Sequence, residues 1–347
     1  MFSRYLALKM LPQEYSVLTQ ADIDHFMEHG WLKLSNCFSR ETAASITSTI
    51  WTRLGMDPND KSTWNLERPH MPKHNMFQAS EFAPKAWGAI CDLLGGEPKI
   101  GDDKRTWNDG FIINLGTKES AGKEVPPQKL QGWHVDGDFF VHFLDSPEQA
   151  LLVIPLFTDI RAGGGGTFLC PPAIPHVAKH LYENTDGVSP RMTPMGQNPP
   201  LGNEQGLYWF NDLAASFPPE AFVEATGEVG DVYLLHPLML HSASNNMHRD
   251  LRIITNPPVS LKEPFNFDRE NPEEYSLVEK KTLKAVGKDR LSGWHITGPR
   301  QKVIPERWKK QEEMKKQELA RLAALKEKAD SNGTAQNGMN NVAVASN

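Results

Sequence analysis

Spacing singles out a few of this chain's twelve histidines as residues that could act together. The best constellation is Trp133-His134-Val135-Asp136-Gly137-Asp138. On an extended strand, residues two apart face the same side. His134 and Asp136 would therefore present an imidazole and a carboxylate together, with Asp138 following if the strand stays regular. An H-x-D triplet is common by chance and needs a third ligand from elsewhere. The run Asp231-Val232-Tyr233-Leu234-Leu235-His236-Pro237-Leu238-Met239-Leu240-His241 offers two candidates, His236 and His241, which one regular strand would point to opposite faces. Beyond a polar turn at 242–250 comes Leu251-Arg252-Ile253-Ile254. An arginine directed inward from so apolar a strand needs an anionic partner. Two imidazoles and one carboxylate that leave coordination positions open suit Fe(II) working with O2. An inward arginine nearby would clamp the carboxylate of a cosubstrate.

These residues need a rigid scaffold. From about residue 105 the chain breaks into short β-branched or aromatic runs at 111–115, 133–143, 151–157, 167–170, 232–240 and 251–255. Gly, Pro and Asn clusters separate them, the texture of a sandwich or barrel. Residues 171–228 are Pro-rich and irregular, with a small helix expected at 177–184. Inside a β-core such a stretch reads as a lid or pocket-lining insertion. Upstream, Thr19 with Asp22 predicts a capped helix ending at Gly30, Trp31–Leu34 a short strand, and Ser39 the cap of a helix over 41–54. A further helix is expected at 84–94, stopped by Gly95-Gly96. Asn271-Pro272-Glu273-Glu274 predicts a helix start, with the helix running to Gly287. Residues 305–330 read as a charged, solvent-facing helix and 331–347 as a disordered tail.

Composition narrows the function classes. The 347 residues are 39% hydrophobic and 23% charged, enough to bury a core. Lys and Arg number 37 against 43 acidic residues, a net charge of −6. That excludes an overall basic footprint for nucleic acid and shows nothing to attract an anionic membrane. No apolar run approaches the roughly 18–20 residues that span a bilayer. Three cysteines without CxxC spacing argue against a disulfide scaffold or a cysteine zinc site. They fit a reducing compartment, which suggests the cytoplasm, with a mitochondrial presequence in the first fifteen residues as the alternative. Gly163–Gly166 lacks the Gly-Lys-Ser/Thr of a phosphate loop and reads as a turn.

The motif set resembles the phytanoyl-CoA dioxygenase family. It comprises H-x-D at 134–136, a long gap, G-D-x-x-x-x-H-P-x-x-x-H at 230–241, and Arg252 eleven residues on. The N-terminal Phe26-Met27-Glu28-His29-Gly30-Trp31-Leu32-Lys33-Leu34 is similar to that family's opening segment. Asp159 with Gly164-Gly165-Gly166-Thr167 and the Pro-rich turn after it is similar to its N-G-x-T…P-G-S-H stretch. The similarity covers about residues 18–260. It departs at Cys170–His176, where Cys-Pro-Pro-Ala-Ile-Pro-His replaces the simple turn, so lid geometry is not transferable.

The resemblance implies an Fe(II)/2-oxoglutarate-dependent dioxygenase on a double-stranded β-helix, mainly β with flanking helices. One domain would extend to residue 304, its core about 105–260. His134, Asp136 and His241 would hold iron, and Arg252 and Thr167 would take the distal carboxylate of 2-oxoglutarate. Gln131 would contact the cosubstrate, and His236 would serve packing. O2 would be the oxidant, with succinate and CO2 as co-products of hydroxylation, desaturation or cyclisation. A small molecule, amino-acid-like or a secondary metabolite, fits an acidic chain better than nucleic acid does. Asp138 beside the iron would bind a substrate amine or guanidinium, or else make a structural bond to the lid. Among the aromatics, Phe139 and Trp209 are candidates for a substrate wall. The alternative is a non-catalytic or non-oxygenase metal-binding β-helix protein, which would have no need of Arg252.

Overall fold

The computed structural model describes residues 15–102, 105–197 and 206–342, without the side chains of 332–342. Residues 1–14, where a presequence would lie, and 343–347 are outside them. Helix α1 (Gln20–His29) opens with the Thr19/Asp22 capping box and stops at Gly30, whose φ of 73° lies in the left-handed region. Strand β1 (Trp31–Leu34) follows directly. The helix expected over 41–54 is two, α2 (Arg40–Thr47) and α3 (Ile50–Leu54). Between them, Thr47 and Ser48 hydroxyls donate back to the carbonyls of Ala43 and Ser45, which competes with continuing the helix.

Next come β2 (Met76–Gln78), α4 (Ala79–Phe82), α5 (Pro84–Leu94), β3 (Thr106–Asn108), β4 (Ile112–Asn114), β5 (Leu151–Pro155) and β6 (Thr167–Cys170). The stretch 171–228 holds α6 (Ile174–Glu183), α7 (Tyr208–Ala215) and β7 (Val223–Ala225), the last belonging to the sheet rather than to an insertion. The chain continues with β8 (Val232–Leu235), β9 (Leu240–Ala243), β10 (Arg252–Ile254), β11 (Pro258–Val259), α8 (Leu277–Val286) and α9 (Arg307–Val342).

The pairings are antiparallel throughout. One sheet has the order β1-β8-β5-β11 and another β7-β6-β9, while β10 pairs with β4 and β2 with β3. Strand β5 is buried along its whole length, as is β8 beside it, so both read as unbroken apolar runs. One continuous apolar core reaches from Leu18 to Leu291. More of the described residues are helical than extended, so the architecture is mixed helix and sheet rather than mainly β. No helix among the described residues is long and apolar enough to cross a membrane.

Three other expectations are corrected. The run 133–143 is not a strand: His134, Phe140 and His142 each make an isolated bridge, and Gly137 at φ 120° turns the chain. The run 232–240 is split, because Met239 N–H closes a turn on the His236 carbonyl with Pro237 inside it. Asn271 caps only a single 3₁₀ turn, and α8 starts from the Ser276/Glu279 capping box.

The C-terminal helix departs most from expectation. It starts at Arg307 and continues past residue 330 to Val342, since an established helix propagates at little cost. It is also docked. Arg53, 2% exposed, lies between Glu318 (Nε–Oε2 2.8 Å) and Asp109 (3.3 Å), and His74 adds a 2.7 Å contact to Glu318. Buried charges persist only when paired in this way. No short-range sequence pattern shows this, because Glu318 lies more than 200 residues from Arg53 and His74.

Candidate metal centre

His241 sits in β9, opposite Leu169 of β6. The other edge of β9 takes an antiparallel bridge from His134, with N–H···O distances of 3.0 Å in both directions. That bridge sets the two imidazoles 4.3 Å apart, centroid to centroid. Asp136, two residues on, places Oδ1 at 3.5 Å from His134 Nε2 and 3.7 Å from His241 Nε2. The three donor atoms lie within 4.8 Å of one another.

The ring tautomers follow from the partners. His134 Nδ1–H donates to the Gly132 carbonyl at 2.8 Å, and His241 Nδ1–H to the Met239 carbonyl at 3.0 Å. A carbonyl only accepts, so both Nδ1 atoms carry the hydrogen, which leaves Nε2 of each neutral ring as the atom that can ligate. This is how metal-ligating histidines are oriented. Asp136 is steadied by Asn256, whose amide donates to Oδ2 at 3.2 Å. An ion about 2.1 Å from each donor needs donors roughly 3.0–3.4 Å apart, so a small inward movement of these side chains suffices. The donor set therefore fits a divalent metal that prefers imidazole and carboxylate.

The electrostatics agree. Burial raises the Asp136 pKa, but the His134 hydrogen bond and the two imidazoles bring it down to about 2. Burial, then His134, lowers His241 to about 4. His134, its side chain 38% exposed, is the open member; burial lowers its pKa, but Asp136 raises it more. Gly137 is required where it stands. Besides its φ of 120°, a Cβ there would come within 2.6 Å of Phe140 and 2.7 Å of His142.

Arg252 is 2% exposed, at the start of β10 opposite Asn114. Its Nε donates to the Gly165 carbonyl at 2.7 Å and its Nη1 to the Ile112 carbonyl at 3.1 Å. Among the described residues it has no carboxylate partner. Burial, then Arg68, lowers its pKa to about 9. The Gly165 carbonyl that it holds is two residues before buried Thr167, in the strand that pairs with His241's own. Two neighbouring arginines are engaged elsewhere: Arg161 with Asp250 at 2.8 Å, and Arg249 over the Trp64 ring at 5.6 Å.

The remaining candidates are dispersed. Gln131 is exposed, its amide donating to the Lys129 carbonyl and its Oε1 accepting from Asn211 on α7. Asp138 lies in a turn and not on a regular strand with the metal ligands. It forms a bidentate pair with Arg307 at 2.6 and 2.7 Å, so its countercharge comes from the protein. Phe139 is half-buried against Phe140. Trp209 packs on His180, between the two helices of 171–228. His236 is fully buried; it accepts from Leu238 N–H on Nδ1 and meets the Thr282 hydroxyl through Nε2 at 2.9 Å. Burial, then Lys281, pushes its pKa down to about 3. It faces α8, which accords with a packing role.

Asn256, His70 and Arg307 went unseen in the sequence. His70 is half-buried in the field of Arg307, Asp136 and Asp138, and burial is the main cause of its pKa falling to about 4. Nothing in the local pattern marks these residues, since each reaches the site from a distant segment. A surface groove of about 550 Å³, lined by Lys61, Trp64, Lys118 and Arg249 among others, contains none of the metal-site residues.

No protein-family model matches the chain, and no curated protein matches it. Solved structures align with it at low identity. One is the non-heme alpha ketoglutarate dependent carbocyclase SnoK from nogalamycin biosynthesis: 15% identity, 73% of this chain and 87% of that one, TM-score 0.38. Another is HygX from Streptomyces hygroscopicus with nickel, 2-oxoglutarate and hygromycin B bound: 12% identity, 71% and 88%, TM-score 0.38. A third is EvdO2 from Micromonospora carbonacea var. aurantiaca: 13% identity, 76% and 98%, TM-score 0.38.

Proposed function

We propose that this chain is an Fe(II)- and 2-oxoglutarate-dependent oxygenase acting on a small molecule. The observation that carries the reading is Arg252. A metal triad alone suits many chemistries, but a buried guanidinium with no acidic partner among the described residues calls for an anion from outside. The dicarboxylate 2-oxoglutarate supplies one while its keto-acid end reaches the metal. The antiparallel sheets β1-β8-β5-β11 and β7-β6-β9 support a double-stranded β-helix as the scaffold.

His134, Asp136 and His241 would hold iron on one face and leave the other positions for cosubstrate and O2. When bound, Fe(II) couples oxidative decarboxylation of 2-oxoglutarate, to succinate and CO2, to a two-electron oxidation of a substrate C–H bond. The residues supply orientation. The Gly165 and Ile112 carbonyls fix the guanidinium plane of Arg252, which offers its remaining N–H groups to the distal carboxylate as a planar fork. Thr167 adds a hydroxyl donor from β6. The Nδ1–H bonds to Gly132 and Met239 keep both imidazoles turned with Nε2 inward. Hydroxylation is the default outcome, with desaturation or cyclisation as variants. An amine on the substrate loses its motive, since it would have to displace Arg307 from Asp138.

The test is stoichiometric. Purified protein should consume 2-oxoglutarate and release succinate only with both Fe(II) and O2 present, slowly without a substrate. Turnover independent of iron, or no 2-oxoglutarate binding by the reduced metal form, would refute the reading.

A further inference from the structure

We propose that Arg307 is a positioning residue of the metal centre, and that the C-terminal strap from residue 301 to Glu318 is a structural part of that centre. The inference rests on His134, Asp136 and His241 being metal ligands. Asp136 is carried by a turn, not by a strand. Beyond it the backbone swings through Gly137 and makes no backbone–backbone bond to the described residues until residue 139. From there the partners come from the other end of the chain. Val303 N–H donates to the Phe139 carbonyl at 2.8 Å, Val141 N–H donates to the Gln301 carbonyl at 2.9 Å, and Phe140 bridges Lys302. Arg307 then closes on Asp138 with two charge-assisted bonds of 2.6 and 2.7 Å, two residues from the ligand. Inside the turn, His142 Nε2–H donates to the Gly137 carbonyl at 2.8 Å.

The strap is itself anchored. Gln311 donates to the His70 carbonyl at 3.3 Å, and Arg321 to the Arg53 carbonyl at 2.7 Å. Glu318 is locked between Arg53 and His74. Arg307 thus ties a ligand-bearing turn with no sheet of its own to a helix fixed by a buried ion network. Outer groups that orient ligands in this way are worth roughly 10–100-fold in metal affinity.

The test is anaerobic titration of the full-length protein with Co(II), read by its visible d–d absorption, together with hydrogen exchange over residues 136–141. We expect wild type to bind and His241→Ala to lose the spectrum. Arg307→Ala and Asp138→Asn should each weaken Co(II) binding roughly tenfold and speed exchange at 136–141 while 151–155 stays protected. The double variant should be no weaker than either single, because both remove one pair. Arg307→Lys should recover part of the affinity, and it carries the comparison with Asp138→Asn if Arg307→Ala does not fold. Unchanged Co(II) affinity and exchange in Arg307→Ala overturns the proposal, as do additive losses in the double variant. If wild type binds no Co(II), or His241→Ala binds as wild type does, the metal reading falls and takes this proposal with it.

Discussion

Replacing Arg252 with alanine gives a result whose size can be worked out in advance. The guanidinium is 2% exposed and has two backbone acceptors but no carboxylate among the described residues. Bound 2-oxoglutarate would complete a desolvated ion pair. Removing one partner of such a pair costs about 3–5 kcal/mol. At about 1.4 kcal/mol per tenfold, cosubstrate affinity should fall by on the order of a hundredfold or more. Iron affinity should change little, because Arg252 touches none of the three ligands. The assay is thermal unfolding of the Ni(II) form with and without 2-oxoglutarate. At 100 times the wild-type dissociation constant the cosubstrate stabilises wild type by about 2.7 kcal/mol. A variant weakened a hundredfold gains only about 0.4 kcal/mol at the same concentration. Arg252→Lys should fall between, since it keeps the charge and loses the planar fork. Separately, the Ile112 carbonyl loses the Arg252 donor and the Gly165 carbonyl keeps only the Asn114 Nδ2–H at 3.3 Å, so the variant's own melting temperature should fall. A full 2-oxoglutarate shift in Arg252→Ala would show that another cation holds the cosubstrate.

Three further outcomes are expected. His236→Ala should keep the metal and lose about 1–3 kcal/mol of stability, because the buried Leu238 N–H loses its acceptor while the Thr282 hydroxyl keeps only the Val278 carbonyl; metal analysis and melting of the same sample check both, and loss of metal would refute the packing role. Gly137→Ala should disrupt metal binding through the forbidden φ and the contacts with Phe140 and His142; metal affinity equal to wild type would show that the turn tolerates a Cβ. The metal-free protein should lose stability as pH falls from about 6.5 towards 4. His236 (about 3), His142 (about 4) and His70 (about 4) are held below their unfolded value, so the unfolded chain takes up protons first in that window. Stability that stays flat from pH 7 to 4 in denaturant titrations would contradict burial of these rings as neutral groups.

How much was legible in the sequence depends on the range of the interaction. The Thr19/Asp22 and Ser276/Glu279 boxes, Gly30 and Gly95 are helix ends written within four residues, though Asn271 drew attention from Ser276 because an Asn-Pro start looks the same for a single 3₁₀ turn. The His134, Asp136, His241 and Arg252 set was visible by type and spacing, and the structure brings the three donors together and leaves Arg252 buried with no acid beside it among the described residues. His236 and His241 are separated by more than strand alternation. Alternation along one strand would point His236 and His241 to opposite faces, whereas a Pro237 turn leaves His236 just past the end of β8 and puts His241 in β9, a strand of another sheet. Asp138 shows the limit most clearly. Its type and position suggested a charge waiting for a substrate, but its partner is Arg307, 169 residues on, in a helix whose composition read as solvent-facing. Local sequence determines caps, turns and the identity of potential ligands, because those depend on side-chain chemistry within a turn or two of backbone. Which buried charges are already satisfied depends on pairs brought together by packing across the whole chain, and only the tertiary structure decides that.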